Sequence, residues 1–400
     1  MHVMFVRMTR WAAQAGLAAS MVIGVNAAAH AQDATTQVAE TANAPTSGYH
    51  GVSRAWLWGP SLNEMVDTAK FKKDPPYVIG FSNASISNAW RVAFQHSIEY
   101  AVAQNKDKIK KFIITDANDD PAKQISDIQD LLNQGVDLLL VAASTEDALD
   151  SVVGRATKEG VPVVMVDRRV KTDSNYLSYV MASDASIGRI EAQWLAEKLN
   201  GKGNIVMLPG VAGSSVAETR IRASKEALAN FPGIKVLDMQ YTNWNPATGK
   251  SVMAALIQKY GKDINGVLAD SALQGSGAIE AYLAAGYKAG EIPPVTGGDV
   301  AHMYQLSSKY NVPMAGIDYP PSMGARSIAI SLDVLAGRPV PRRVEVSTTV
   351  VVSKGDDTAS VKGDETPEQH VRADAPGDLA PSNGLPADYD PRTFKVDYPH

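Results

Sequence analysis

The residues best placed to do chemistry in this chain sit where short apolar runs stop. Val166-Asp167-Arg168-Arg169 ends one such run with an acid and two guanidinium groups. Arg offers a planar fork of donors and ionised Asp accepts on both oxygens. The pair therefore suits a small ligand whose adjacent hydroxyls donate and accept together. Trp244, in the polar stretch Thr242-Asn243-Trp244-Asn245-Pro246, and Trp90 add aromatic faces that pack against the C–H faces of ring-shaped ligands. Trp90 also falls on an apolar helical stripe with Phe94, Ile98 and Ala101, where core packing accounts for it equally well. Arg220 follows the Gly-rich turn Gly210–Ser215, and Asp299 follows Thr296-Gly297-Gly298. Ser144, Ser271, Asp318 and Tyr319 take equivalent places after other runs.

These residues form no recognisable catalytic set. Gly249-Lys250-Ser251 resembles the end of a phosphate-binding loop, but the first glycine of that motif would fall at Trp244. The G-x-S-x-G elbow and the H-E-x-x-H helix are both missing from the sequence. His50, His96, His302, His370 and His400 are too scattered to suggest a metal site, and Asp299 lacks the oxygen ligands of a calcium loop. Asp167 and Asp299 are the one carboxylate pair that could be nominated for glycoside hydrolysis, which needs two carboxyls about 5–9 Å apart. Nothing else in the sequence supports that role. The expectation is a binder: not an enzyme, with no catalytic residue, metal or cofactor.

The elements that must position these side chains are legible from periodicity. Seven apolar runs, YVIGFSNAS, FIITDAND, LLLVAAST, PVVMVDRR, IVMLPG, GVLADSA and PVTGGDV, have the length of buried strands, and most are followed by an amphipathic stretch. Helices are predicted over about 89–104, from the cap Asp120-Pro121 to Gly135, and over 147–158. More are predicted around Ile187–Leu195 and over 216–230, 249–260 and 324–335, with one Val- and Thr-rich strand over 343–353. Alternating strands and helices imply parallel sheets, whose ligands bind beyond the carboxyl ends of the strands. So many units fit two similar α/β lobes better than one sheet, with a cleft between them.

Composition narrows the class. The chain has 400 residues, is 45% hydrophobic and 20% charged, and carries a formal net charge of −5. That is ordinary globular composition without the basic footprint of a nucleic-acid partner. With no cysteine, disulfides and thiolate chemistry are excluded. Arg7 and Arg10, the apolar stretch from Trp11 to Val25, and Ala29-His30-Ala31 read as a secretory leader cleaved after Ala31. A soluble protein exported to a bacterial periplasm is expected. An arm of low hydrophobicity follows, with Trp56 and Trp58 read as anchors. Beyond Gly355 the chain becomes polar and Pro-rich, so residues 356–400 form a tail or a wrapped extension.

With those residues in view, the chain resembles the periplasmic sugar-binding proteins of ABC importers, of the ribose/galactose type (periplasmic binding protein type I fold). The stretches IGFSNASISNAWR, DANDDPAKQISDIQDLLNQGVDLLLVAAS, GVPVVMVDRR, GVAGSSVAETR, VLADSALQGSGAIEA and VTGGDV run in the family's order across residues 77–353. The resemblance implies two Rossmann-like lobes with parallel sheets, joined by a hinge of three crossovers near Val180, Asp318 and Val351. It implies an amino-terminal lobe of residues 76–181 and 320–350, and a carboxy-terminal lobe of 182–318 and 351–355. These follow a leader of residues 1–31 and an arm of 32–75.

Carried over by position, Asn88, Trp90 and Arg91 fall in the family's first-strand loop, and Asp167 and Arg168 on its Asp-Arg pair. Arg220 matches the Arg after the Gly-rich turn, Trp244 an aromatic beyond the next strand, and Asp299 a late Asp that binds sugar hydroxyls. Where the family often has Asn-Asp, this chain has Ser271-Ala272, and the third hinge contact falls on Asp318 or Tyr319. These departures argue against plain ribose. The resemblance implies a monomer that closes on a sugar, polyol or sugar acid and presents it to a membrane permease. A ligand-sensing subunit for a membrane receptor kinase would need the same closure.

Overall fold

The computed structural model describes residues 64–381 and 385–400. The expected leader and most of the amino-terminal arm, Trp56 and Trp58 included, lie outside the described residues.

After a short strand, β1 (Met65–Val66), the first half of the chain alternates regularly. It comprises β2 (Tyr77–Asn83), α1 (Ala89–Ala103), β3 (Ile109–Asp116), α2 (Pro121–Asn133), β4 (Leu138–Ala142), α3 (Asp150–Lys158), β5 (Val163–Val166) and β6 (Ser178–Met181). The second half repeats the theme with α4 (Asp184–Lys198), β7 (Lys202–Leu208), α5 (Ser215–Leu228), β8 (Gly233–Met239), α6 (Pro246–Tyr260) and β9 (Gly266–Ala269). It continues with α7 (Ala272–Ala284), β10 (Val295–Thr296), α8 (Ala301–Tyr310) and β11 (Met314–Ile317). Then come α9 (Met323–Leu335), β12 (Val340–Pro341), β13 (Arg343–Glu345), β14 (Val350–Val352) and α10 (Pro367–His370).

Among the described residues these strands build two large sheets. One has the order β13-β6-β5-β4-β2-β3, every pair parallel. The other has the order β14-β11-β10-β9-β7-β8 and is parallel except for β14 against β11. Both sheets switch direction beside their first strand, between β2 and β4 and between β7 and β9. That is where a doubly wound sheet opens a crevice for a ligand. The strands read as unbroken apolar runs because helices cover both faces. In β4, Leu138, Leu140 and Ala142 join the core of α1, whereas Leu139 and Val141 point to the opposite cluster with Ile128 and Val153.

Local signals set the helix ends. Asp120 accepts from the backbone N–H of Ala122 (2.8 Å) and Lys123 (3.3 Å), Pro121 occupies the first turn, and Gly135 follows α2 at φ 72°. The helix expected from Gly249 begins instead at Pro246, because Asn245 caps it by accepting from Thr248 N at 3.0 Å. The single strand expected over 343–353 is two strands in different sheets. β13 pairs with β6 and β14 with β11, and Ser347–Thr349 carry the chain across between them. Val and Thr content marks β propensity but carries no signal for which sheet each half joins.

The chain thus passes between the sheets three times, at Met181–Asp184, Ile317–Met323 and Glu345–Val350. The residues beyond Gly355 wrap onto both halves. Trp194 donates to the Asp356 carbonyl (2.8 Å), Val361 is fully buried, and Ala301 and His302 donate to the carbonyls of Leu379 and Gly377. Farther along, Tyr389 and Phe394 pack on His96 of α1, and Phe112 of β3 donates to the Pro399 carbonyl at 2.8 Å.

Candidate functional site

A narrow cavity of about 30 Å³ lies where the carboxyl ends of the two sheets face each other. Residues from both sides line it: Asn88, Trp90, Arg91, Asp167 and Arg168 from one, Arg220, Trp244, Ser271 and Asp299 from the other, with Tyr319 on the second crossing. Val216 and Leu273 complete the lining, and neither was singled out from sequence. Of the twelve residues nominated, Ser144 and Asp318 stand apart. Ser144 is buried behind the wall, its N–H donating to Gln124 at 2.8 Å. Asp318 faces the opposite side of the crossing, where its carboxylate lies 4.0 Å from His370 Nε2. Tyr319, not Asp318, is the hinge residue that reaches the cavity.

The amino-terminal wall is built on α1 and the end of β5. Asn88 caps α1 by accepting from Arg91 N at 2.9 Å, which fixes where the Arg91 side chain departs. Arg91 is 1% exposed, and its guanidinium donates to the Ser85 carbonyl (3.0 Å), Asn83 and Asp167. Asp167 is the residue where the β5 backbone turns into the left-handed region, at φ 62°. A non-glycine residue there costs of order 1–3 kcal/mol and persists only when its surroundings hold it. They do so here: one carboxylate oxygen accepts from Tyr319 Oη at 3.1 Å, the other faces Arg91 and, at 3.7 Å, Arg168. Tyr179 Oη anchors the Asp167 carbonyl at 2.6 Å. Arg168 reaches Asp119 at 3.3 Å and lies 4.9 Å from the centre of the Trp244 ring across the cleft. Burial pulls Arg91 below its usual value, and Asp167 opposes that shift.

Trp90 is both core and site. Its ring stacks on Phe94 at 5.2 Å, while its indole N–H donates to the Tyr319 carbonyl at 2.6 Å. One residue thus lies on the apolar stripe of α1 and in the cavity lining.

The carboxy-terminal wall centres on Arg220 in α5. Gly188 of α4 makes this possible, since a Cβ there would sit 2.4 Å from the Arg220 carbonyl. The close helix contact lets Arg220 Nε donate to Asp184 at 3.0 Å while Nη1 donates to the Asp270 carbonyl. Its guanidinium lies 4.6 Å from the centre of the Tyr319 ring, and Nη2 is buried without a protein acceptor among the described residues. Asp299, at φ 103°, accepts from Tyr319 N at 3.2 Å. Burial pushes the Asp299 carboxyl well above its ordinary value, more than Arg220 pulls it back. Asp184 is pushed up to about 7 by burial, again against the pull of Arg220. Burial would lower Arg220 itself, but Asp184 and Asp270 together raise it.

Three acids that sequence reading missed stand behind the cavity lining: the carboxylates of Asp119 and Asp184 partner Arg168 and Arg220, and Asp270 accepts from Arg220 through its carbonyl and from Trp244 through its carboxylate. Asp184 begins α4 and Asp270 precedes the α7 cap, so each resembles ordinary helix-start chemistry in the sequence. Contacts also cross the cleft: Asn88 Nδ2 donates to the Trp244 carbonyl at 3.4 Å. Among the described residues no group of His, Asp and Glu side chains is arranged to hold a metal ion.

A family model described as a periplasmic binding protein domain matches residues 79–339. A xylitol-binding protein of Mycolicibacterium smegmatis is 34% identical over 187 residues, 47% of this chain and 52% of that protein. The match therefore spans about half the length of that relative. A galactofuranose-binding protein of Escherichia coli is 32% identical over 221 residues, 54% of this chain and 69% of the relative. Among solved structures, the fructose-binding periplasmic domain of a hybrid two-component system superposes with a TM-score of 0.64 at 28% identity. That superposition covers 70% of this chain and 92% of the other. With the family model matched over well over half of its length, this chain belongs to the periplasmic binding protein domain family.

Proposed function

We propose that this protein captures a neutral sugar or polyol between its two lobes, in the periplasm, and delivers it as a monomer to an ABC-type membrane permease. The observation that carries this reading is the chemistry of the cavity. It offers a rim of bidentate donors and acceptors, an aromatic at each wall, and no nucleophile paired with a base. The carboxylates that could do chemistry are committed elsewhere, Asp167 to Arg91 and Tyr319 and Asp299 to the Tyr319 backbone. Relatives named for xylitol and galactofuranose binding support a hydroxyl-rich cargo.

A sugar acid fits less well. Each guanidinium at the cavity already faces carboxylate, Arg91 and Arg168 through Asp167 and Arg220 through Asp184. A carboxylate ligand would lose its hydration without meeting an unpaired cation. The remaining donor, Arg220 Nη2, is suited to a hydroxyl or ring oxygen.

The alternative output is sensing, in which the liganded form engages a membrane receptor kinase. The similarity to a periplasmic domain of a two-component system supports that output. The leader, with cleavage after Ala31, supports export under either reading.

A thermal-shift screen of the protein lacking residues 1–31 against pentoses, hexoses, polyols, sugar acids and amino acids tests the proposal. Ligands that bind only the native state raise its melting temperature. A shift with neutral sugars or polyols, lost in Asp167→Ala and Trp244→Ala, is the expected result. A response confined to sugar acids or amino acids, or one unchanged in both variants, would overturn it.

A further inference from the structure

Asp270 lies outside the cavity lining, yet three parts of the carboxy-terminal wall converge on it. Its Oδ1 accepts from the Trp244 indole N–H at 3.0 Å and from Gln274, and its Oδ2 accepts from Gly210 N at 3.2 Å. Its own carbonyl accepts from Arg220 Nη1. The loops after β7 and β8 and the helix α5 are thus tied to one residue at the end of β9.

Trp244 needs such a tie. Its backbone sits in the left-handed region at φ 47°, following Asn243 at φ 55°, so its own loop does not favour this conformation. One face of its indole lies against Gly210, where a Cβ would come within 1.9 Å of the ring. Arg168 of the opposite lobe lies 4.9 Å from the ring centre. Those contacts fix the plane of the ring. A half-turn about Cβ–Cγ would keep that plane and exchange the ring edges, and the single N–H with its acceptor selects one of the two.

We propose that Asp270 is the positioning residue for this site. By holding the Trp244 indole, it sets affinity and selectivity for the captured sugar or polyol without touching it. This rests on the binding reading above.

The test uses the protein lacking residues 1–31, with D-fructose, D-galactose, D-ribose and xylitol as probes. Two readouts are taken from wild type, Asp270→Asn, Asp270→Leu and Trp244→Phe. The first needs no ligand: the nitrogen-15 indole N–H spectrum, in which the Trp244 signal is the one missing from Trp244→Phe. That signal is expected to shift and exchange faster in Asp270→Leu while the other indole signals stay in place. Asp270→Asn, which keeps one acceptor oxygen, is expected to lie between.

The second readout is calorimetric affinity for whichever probe binds wild type. Asp270→Leu is expected to weaken it about tenfold or more, Asp270→Asn less, and the loss should shrink in a Trp244→Phe background. An unmoved Trp244 signal, or an equal loss with and without Trp244, would overturn the proposal. Should Asp270→Leu not fold, the same comparisons on Asp270→Asn decide it. If no probe binds wild type, the capture reading loses its support, and the indole spectrum still decides the role of Asp270.

Discussion

On the amino-terminal wall of the cleft, two guanidiniums, Arg91 and Arg168, share Asp167, with Asp119 as a further partner. On the carboxy-terminal wall the ratio is reversed. One guanidinium, Arg220, faces Asp184 directly and feels Asp270 and Asp299. A buried carboxylate without full compensation takes up a proton instead of staying charged. That is why acids on the carboxy-terminal wall are pushed upward, Asp184 to about 7 and Asp299 well above its ordinary value. The first wall is held by redundant ion pairs, and the second depends on a single cation.

The largest effect should come from removing that cation. Arg220→Met leaves Asp184 without its buried partner and is expected to cost about 3–5 kcal/mol in denaturant unfolding, with loss of ligand binding. The matching change on the other wall should cost less. After Asp167→Asn, Arg91 keeps Asn83 and the Ser85 carbonyl and Arg168 keeps Asp119, so about 1–3 kcal/mol is expected. If Asp167→Asn proves the more damaging, the asymmetry between the walls is wrong.

The pH dependence sharpens the same contrast. The folded values of Asp184 and Asp299 lie above the unfolded value near 4, so the folded state keeps protons that the unfolded chain releases. Their contribution to stability is greatest at low pH; that of Asp184 falls as pH rises from about 4 through about 7, and that of Asp299 falls as pH rises above about 4. Asp318, also pushed up to about 7 by burial, acts with the same sign at the crossing. Melting temperatures between pH 5 and pH 8 should therefore decline, and Asp184→Asn should flatten that decline. A slope unchanged in this variant would remove Asp184 from the account. The smallest effect expected is that of Ser271→Ala, which removes the α7 cap bond to Leu273 N (3.2 Å) and should cost about 0.5–2 kcal/mol.

What could be read from sequence divides along physical lines. The apolar runs and the Asp120-Pro121 cap specify strands and a helix start locally, and the strand-end pair Asp167-Arg168 follows from them. Trp244 and Asp299 follow strand ends in the sequence, whereas Trp90 and Arg220 lie within α1 and α5, and all four line the cavity. Their partners were not legible. Asp184 and Asp270 sit at helix starts, where acids are common for capping alone, and only the packing of α4 on α5 brings Asp184 to Arg220. The extension beyond Gly355 was equally opaque: Tyr389, Phe394 and Tyr398 anchor on α1 and β3 at a spacing that is neither helical nor strand-like. Residue types do not mark the break between β13 and β14, because both halves are good strand formers; the resemblance implied a crossover near Val351, and the chain crosses at Glu345–Val350.

The central claim is that one ligand is gripped by both walls at once. Titration calorimetry of the protein lacking residues 1–31 with D-fructose, D-galactose, D-ribose and xylitol addresses it most directly. The account predicts one neutral ligand per chain, with binding lost when either wall is altered, in Asp167→Ala or in Trp244→Ala. Binding that survives alteration of one wall, or a ligand held outside the cleft, would contradict it.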